Sequence, residues 1–102
     1  MKILYDSQND LLYIELSEAQ ATRSEDNRGT GGGYTTPLRV VDYDEKGDVV
    51  GLEFLDVSQQ LCAPADIWDL AHTFHLDAAT LERELATAGF HVSRRRIAGT
   101  NA

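Results

Sequence analysis

The chain has 102 residues, 42% of them hydrophobic, and a formal net charge of −8. That length suits one domain or a small domain with an appendage. A domain of this size buries only roughly two-thirds of its unfolded surface, so a second subunit would add useful stability. Residues 1–60 hold five basic and twelve acidic side chains, a balance that disfavours nucleic acid and anionic membrane as partners of this half.

KILYD opens the chain and SQND follows it, rich in turn formers. LLYIELS then alternates, with Leu12, Ile14 and Leu16 on one face and Leu11, Tyr13 and Glu15 on the other. The two-residue period predicts a hairpin of two strands. AQATRSED alternates as a polar edge strand, and the glycine-rich stretch 29–36 reads as a loop. LRVVDYD and DVVGLEFLD predict a second hairpin. Its turn is Glu45-Lys46-Gly47, with Gly47 in a left-handed position beside a bulge. Val50, Leu52 and Phe54 line one face of the returning strand. Val41, Tyr43, Val49 and Leu55 make the opposite face partly apolar, so something must cover that face as well.

After Ser58 the period lengthens. Ile67, Leu70, Ala71 and Phe74 recur at helical spacing behind Pro64. Asp77 is a good N-cap for a second helix that carries Leu81 and Leu85 and stops at Gly89. The pattern therefore predicts an α+β fold. An antiparallel β-meander of four or five strands fills residues 1–58, a helical hairpin fills 59–92, and 93–102 is a flexible basic tail. The start MKILYDSQND lacks the apolar core of a signal peptide, and no run reaches the roughly 18 apolar residues of a membrane span. Together with a single cysteine, Cys62, this predicts a cytoplasmic protein without a membrane partner.

Four constellations bear on chemistry. Asp42, Asp44, Gly47 and Glu53 fall at positions 1, 3, 6 and 12 of a calcium-loop template, but Lys46 stands where an oxygen ligand belongs and the flanks are strands. A charged turn explains these residues better, with Lys46 able to pair with either aspartate. Glu53, set inside VVGLEFL, admits a small enzyme using it with Asp42 or Asp6, although such a residue more often points outward beside Gly51. His72, His75 and His91 lack a clustered acid or cysteine, and Cys62 reads as a small core or boundary residue, so neither metal nor cofactor is expected. DLAHTFHLDAATLERELATAGF has the spacing of a helix-turn-helix, with Thr80 and Arg83 on the reading helix and Arg94, Arg95 and Arg96 as backbone contacts. Against DNA stand Glu82 and Glu84, and His75 takes the place where a glycine usually relieves the turn.

MKILYD…NDLLYIELS followed by VVDYDEKGDVVGLEFLDVS resembles the bacterial family called domain of unknown function 2283. The resemblance is carried by Lys2, Ile3, Tyr5, Asp6, Asp10, Leu12, Tyr13, Ile14, Asp42, Asp44, Gly47, Val49, Val50, Gly51 and Glu53. It covers roughly residues 1–58 and implies a small β-meander domain without an established activity, in genes sometimes suspected of forming toxin–antitoxin-like pairs. The glycine-rich insertion and the helical extension depart from the family pattern. The functional expectation is a non-enzymatic module that self-associates, as a homodimer, and binds a small basic protein partner. Its interface would be drawn from Tyr13, Val41, Tyr43, Val49 and Leu55, and DNA is a further partner for the helices.

Overall fold

The computed structural model describes residues 1–30 and 37–92. Most of the glycine-rich loop and the whole basic tail with Arg94, Arg95 and Arg96 therefore lie outside the described residues. Five strands, β1 (Lys2–Asp6), β2 (Leu11–Glu15), β3 (Arg23–Asp26), β4 (Arg39–Tyr43) and β5 (Val49–Leu55), form one antiparallel sheet, and helices α1 (Pro64–Thr73) and α2 (Ala78–Thr87) follow. The strand order is β1-β2-β5-β4-β3, so β5 sits in the centre beside β2. The polar stretch after β2 becomes edge strand β3, exposed at all four positions.

Pairing fixes which side chains share a face. Ile3 lies opposite Ile14 and Tyr5 opposite Leu12. Leu12 in turn faces Phe54, Ile14 faces Leu52, and Val41 faces Leu52 from the other side. This face carries the core. Leu12, Ile14, Leu52 and Phe54 join Val57, Leu61, Ile67, Leu70, Ala71, Leu81, Leu85 and Phe90 in one buried cluster that spans sheet and helices. Each such large apolar side chain contributes about 1.5–3 kcal/mol of transfer free energy.

The expected second apolar face therefore splits. Tyr13 and Leu55 do lie on the face away from the helices, opposite Glu53 and Leu11. Val41 and Val49 instead pack against the core cluster. Tyr43 pairs with Arg23, whose guanidinium lies 4.2 Å from its ring centre. The cause is register: β4 is apolar at both parities, and a bulge at Asp42/Tyr43 sets Tyr43 opposite Val49.

Local chemistry closes each turn. Gly47 has φ 85°, as the turn requires. Asp44 accepts hydrogen bonds from the Lys46 and Asp48 N–H groups, both 2.9 Å. That corrects the expected Lys46 ion pair: the Asp44 carboxylate is taken by the amides of its own turn. Asp10, at φ 55°, ties the first hairpin to the end of β5; its carboxylate accepts the Ser58 N–H (3.0 Å) and the Ser58 hydroxyl (2.5 Å).

In the helical layer, Pro64 starts α1, and Asp66 accepts from the Cys62 and Ala63 N–H groups at 2.8 and 2.9 Å. Asp77 caps α2 by accepting the Thr80 N–H (2.9 Å) and hydroxyl (2.7 Å). Ala71 and Leu81 are buried in the shared core, and Leu76, from the turn between the helices, packs against it. His75 has φ 57°, a left-handed conformation that glycine adopts more easily. Cys62 is exposed rather than in the core, its thiol donating to the Ser58 carbonyl at 3.2 Å. Among the described residues no helix is long and apolar enough to cross a membrane.

Candidate functional site

The helices cover one face of the sheet, and among the described residues no element covers the other, the open face. The register arranges that open face in three rows. Asp6, Leu11 and Leu55 form the first; Leu4, Tyr13, Glu53, Val40 and Asp26 form the second; Lys2, Glu15, Gly51, Asp42 and Ser24 form the third. Apolar side chains run through the middle, and carboxylates stand around and within them.

One polar network crosses the face. The Tyr13 hydroxyl donates to Asp42 Oδ2 at 3.1 Å, and the Ser24 hydroxyl donates to Asp42 Oδ1 at 2.6 Å. The Tyr13 ring reaches Asp42 by lying directly over Gly51. A Cβ built on Gly51 would stand 1.9 Å from the Tyr13 hydroxyl oxygen. Any side chain at position 51 would displace the ring, which is the physical reason for glycine in an otherwise apolar strand. Burial pushes the Tyr13 phenol above its ordinary value of 10.0, and the bond to Asp42 and the charges of Asp42, Glu15 and Glu53 push in the same direction. Tyr13 is thus a neutral hydrogen-bond donor at any physiological pH.

Beside this network lies a shallow open depression of about 340 Å³, lined by Leu4, Tyr5, Asp6, Leu11, Leu12, Tyr13 and Glu53. Asp6 and Glu53 share it; Asp42 does not. Asp6 serves the first turn, accepting the Asn9 side-chain amide at 2.8 Å and the Gln8 and Asn9 N–H groups at 3.1 and 3.2 Å. The Asn9 bonds hold its carboxyl below the ordinary 3.8, so Asp6 is a fixed anion rather than a proton carrier near neutral pH. Glu53 is half-buried between Tyr13 and Val40, and no described group of the chain donates a hydrogen bond to it. Leu4, at the rim, is 57% exposed. The arrangement offers apolar contact, two tyrosine edges and several anionic acceptors.

Of the residues read as DNA contacts, the two described ones, Thr80 and Arg83, sit elsewhere. Arg83 is exposed on α2, and Thr80 is half-buried with its hydroxyl committed to the Asp77 cap. Across residues 59–92, Arg83 stands alone against five carboxylates. His72, His75 and His91 are all exposed. The Tyr13–Gly51–Asp42–Ser24 network escaped the sequence reading. Its signal was a strand tyrosine and a strand glycine, two residues that make sense only when stacked on adjacent strands.

No curated protein and no solved structure matches the chain. Residues 2–58, which hold the whole sheet and with it the open face, match the family model for a protein of unknown function, DUF2283. The chain belongs to that family.

Proposed function

We propose that this protein is a binding module whose open sheet face docks a basic segment of another protein. The observation that carries this reading is Glu53, an undonated carboxylate in the middle of an apolar band, with Asp6, Glu15, Asp26 and Asp42 around it and Lys2 as the one basic side chain of the three rows. A segment that alternates apolar side chains with lysine or arginine satisfies both features. Its apolar residues cover Leu4, Leu11, Val40 and Leu55, and a cation meets Glu53. A second copy is a poor occupant of the same face, because it brings acids against acids. The family's suspected place in toxin–antitoxin-like pairs is consistent with a small basic protein as the partner. Asp6 and Glu53 share the depression, but the commitment of Asp6 to its turn argues against an acid–base pair there. The acidic helical layer likewise argues against DNA.

Selection from a random peptide display library on the immobilised full chain tests the reading. Enriched peptides should combine lysine or arginine with large apolar residues, bind more weakly as salt rises, and lose at least tenfold in affinity to Glu53→Lys. Acidic consensus peptides, or peptides indifferent to Glu53→Lys, would overturn it.

A further inference from the structure

The sheet has two edges, β1 and β3, and they are built differently. β3 is four residues long, exposed throughout and charged at Arg23, Glu25 and Asp26, with Arg23 paired to Glu25. Short charged edges discourage the addition of another strand. β1 is longer and carries Ile3, Leu4 and Tyr5 in succession. Leu4 is 57% exposed, and Ile3 and Tyr5 are only half-buried, so the helical layer does not seal this edge. Among the described residues, no group outside β2 hydrogen-bonds to the backbone of Lys2–Tyr5. Half of the N–H and C=O groups of β1 thus face outward with no partner among the described residues.

The sequence of this edge complements itself. When KILYD is laid antiparallel against a second KILYD about Leu4, Lys2 falls opposite Asp6, Ile3 opposite Tyr5, and Leu4 opposite Leu4. Every opposed pair is then favourable: two opposite-charge pairs, two apolar–aromatic pairs and one leucine pair. A shift by one residue loses this match and also puts the two open faces on opposite sides of the joined sheet.

We propose that this chain forms a two-fold dimer in which β1 pairs antiparallel with β1 of a second copy, centred on Leu4. The two five-stranded sheets then become one continuous sheet of ten strands. Leu4 of the second copy becomes the outer wall of the depression beside Leu4, Tyr13 and Glu53. The open face is thereby doubled across the dyad and its exposed leucine covered. This dimer uses the edge rather than the face and stands whether or not the face takes a basic partner.

The test is cysteine cross-linking of the full chain in a Cys62→Ser background. In the proposed register the two Leu4 Cα atoms lie about 5 Å apart, within disulfide reach. The two Lys2 Cα atoms lie about 13 Å apart, from a four-residue offset at roughly 3.3 Å per residue. Leu4→Cys should therefore cross-link on mild oxidation. Lys2→Cys alone should not, whereas Lys2→Cys mixed with Asp6→Cys should. Sedimentation of the unmodified chain should show a concentration-dependent dimer that Leu4→Lys weakens at least tenfold. A monomer at every concentration, a dimer indifferent to Leu4→Lys, or Lys2→Cys cross-linking as readily as Leu4→Cys would overturn the proposal. The cysteine series decides the matter even if Leu4→Lys fails to fold.

Discussion

The two faces of this sheet share the same alternating central strands, β2 and β5 with β4 beside them, yet they have opposite characters. On the helix side, Leu12, Ile14, Leu52 and Phe54 are almost fully removed from water within one apolar cluster. On the other side, Tyr13, Glu53 and Asp42 are half-buried, and a hydroxyl–carboxylate network replaces hydrocarbon packing. The covered face supplies stability. The open face keeps a polar network and, in Glu53, a carboxylate to which no described group donates a hydrogen bond.

The sharpest way to break the comparison is to delete one large side chain from the covered face. Phe54→Ala leaves a cavity under both helices and should destabilise the protein by about 3–5 kcal/mol in chemical denaturation. A change of that size at Phe54, beside a small one for Leu55→Ala on the opposite side of the same strand, confirms the division; equal losses would refute it.

A smaller effect is expected at Gly51. The added methyl of Gly51→Ala must push the Tyr13 ring aside and break its bond to Asp42, at about 1–3 kcal/mol. In a Tyr13→Ala background the same substitution should be nearly neutral. The difference between the two backgrounds, read from a double-mutant cycle, measures the contact itself.

The smallest effect is in pH dependence. The folded protein holds the Tyr13 phenol above its ordinary value of 10.0. The neutral form is favoured by folding, so this contribution is complete below pH 10 and fades as pH rises through the folded value. Asp77 in the helical layer behaves in the opposite sense. The bonds from Thr80 lower its carboxyl below 3.8, so its contribution is present above that value and disappears as pH falls through the folded one. Tyr13→Phe should flatten the alkaline limb of the stability profile and Asp77→Ala the acid limb, each leaving the other limb unchanged in pH-dependent thermal melts.

Much of this was legible along the chain, because some signals are local. Alternation in LLYIE and VVGLEFL marks strands, the spacing of Ile67, Leu70, Ala71, Leu81 and Leu85 marks helices, and Asp77 with Thr80 marks a cap. Even the awkward place of His75 could be seen in advance, and it takes the left-handed conformation that a glycine would occupy more easily. Other features were not local. Both parities of β4 are apolar, so nothing in RVVDY says whether Val40 or Val41 turns inward. Only the pairing of Val41 with Leu52 decides it.

The sequence by itself determined which segments are strands and helices, where the chain turns, and that residues 2–58 carry the family pattern. Periodicity, capping and turn chemistry act within a few residues, so one strand of text contains them. The tertiary structure alone decided that β5 returns to the centre, that the helices cover one face only, and that Tyr13 lies over Gly51 to meet Asp42. Those facts depend on contacts between separate segments, such as the Tyr13–Asp42 bond across 29 positions, and such contacts are selected by the packing of the whole sheet rather than by any segment's own preference.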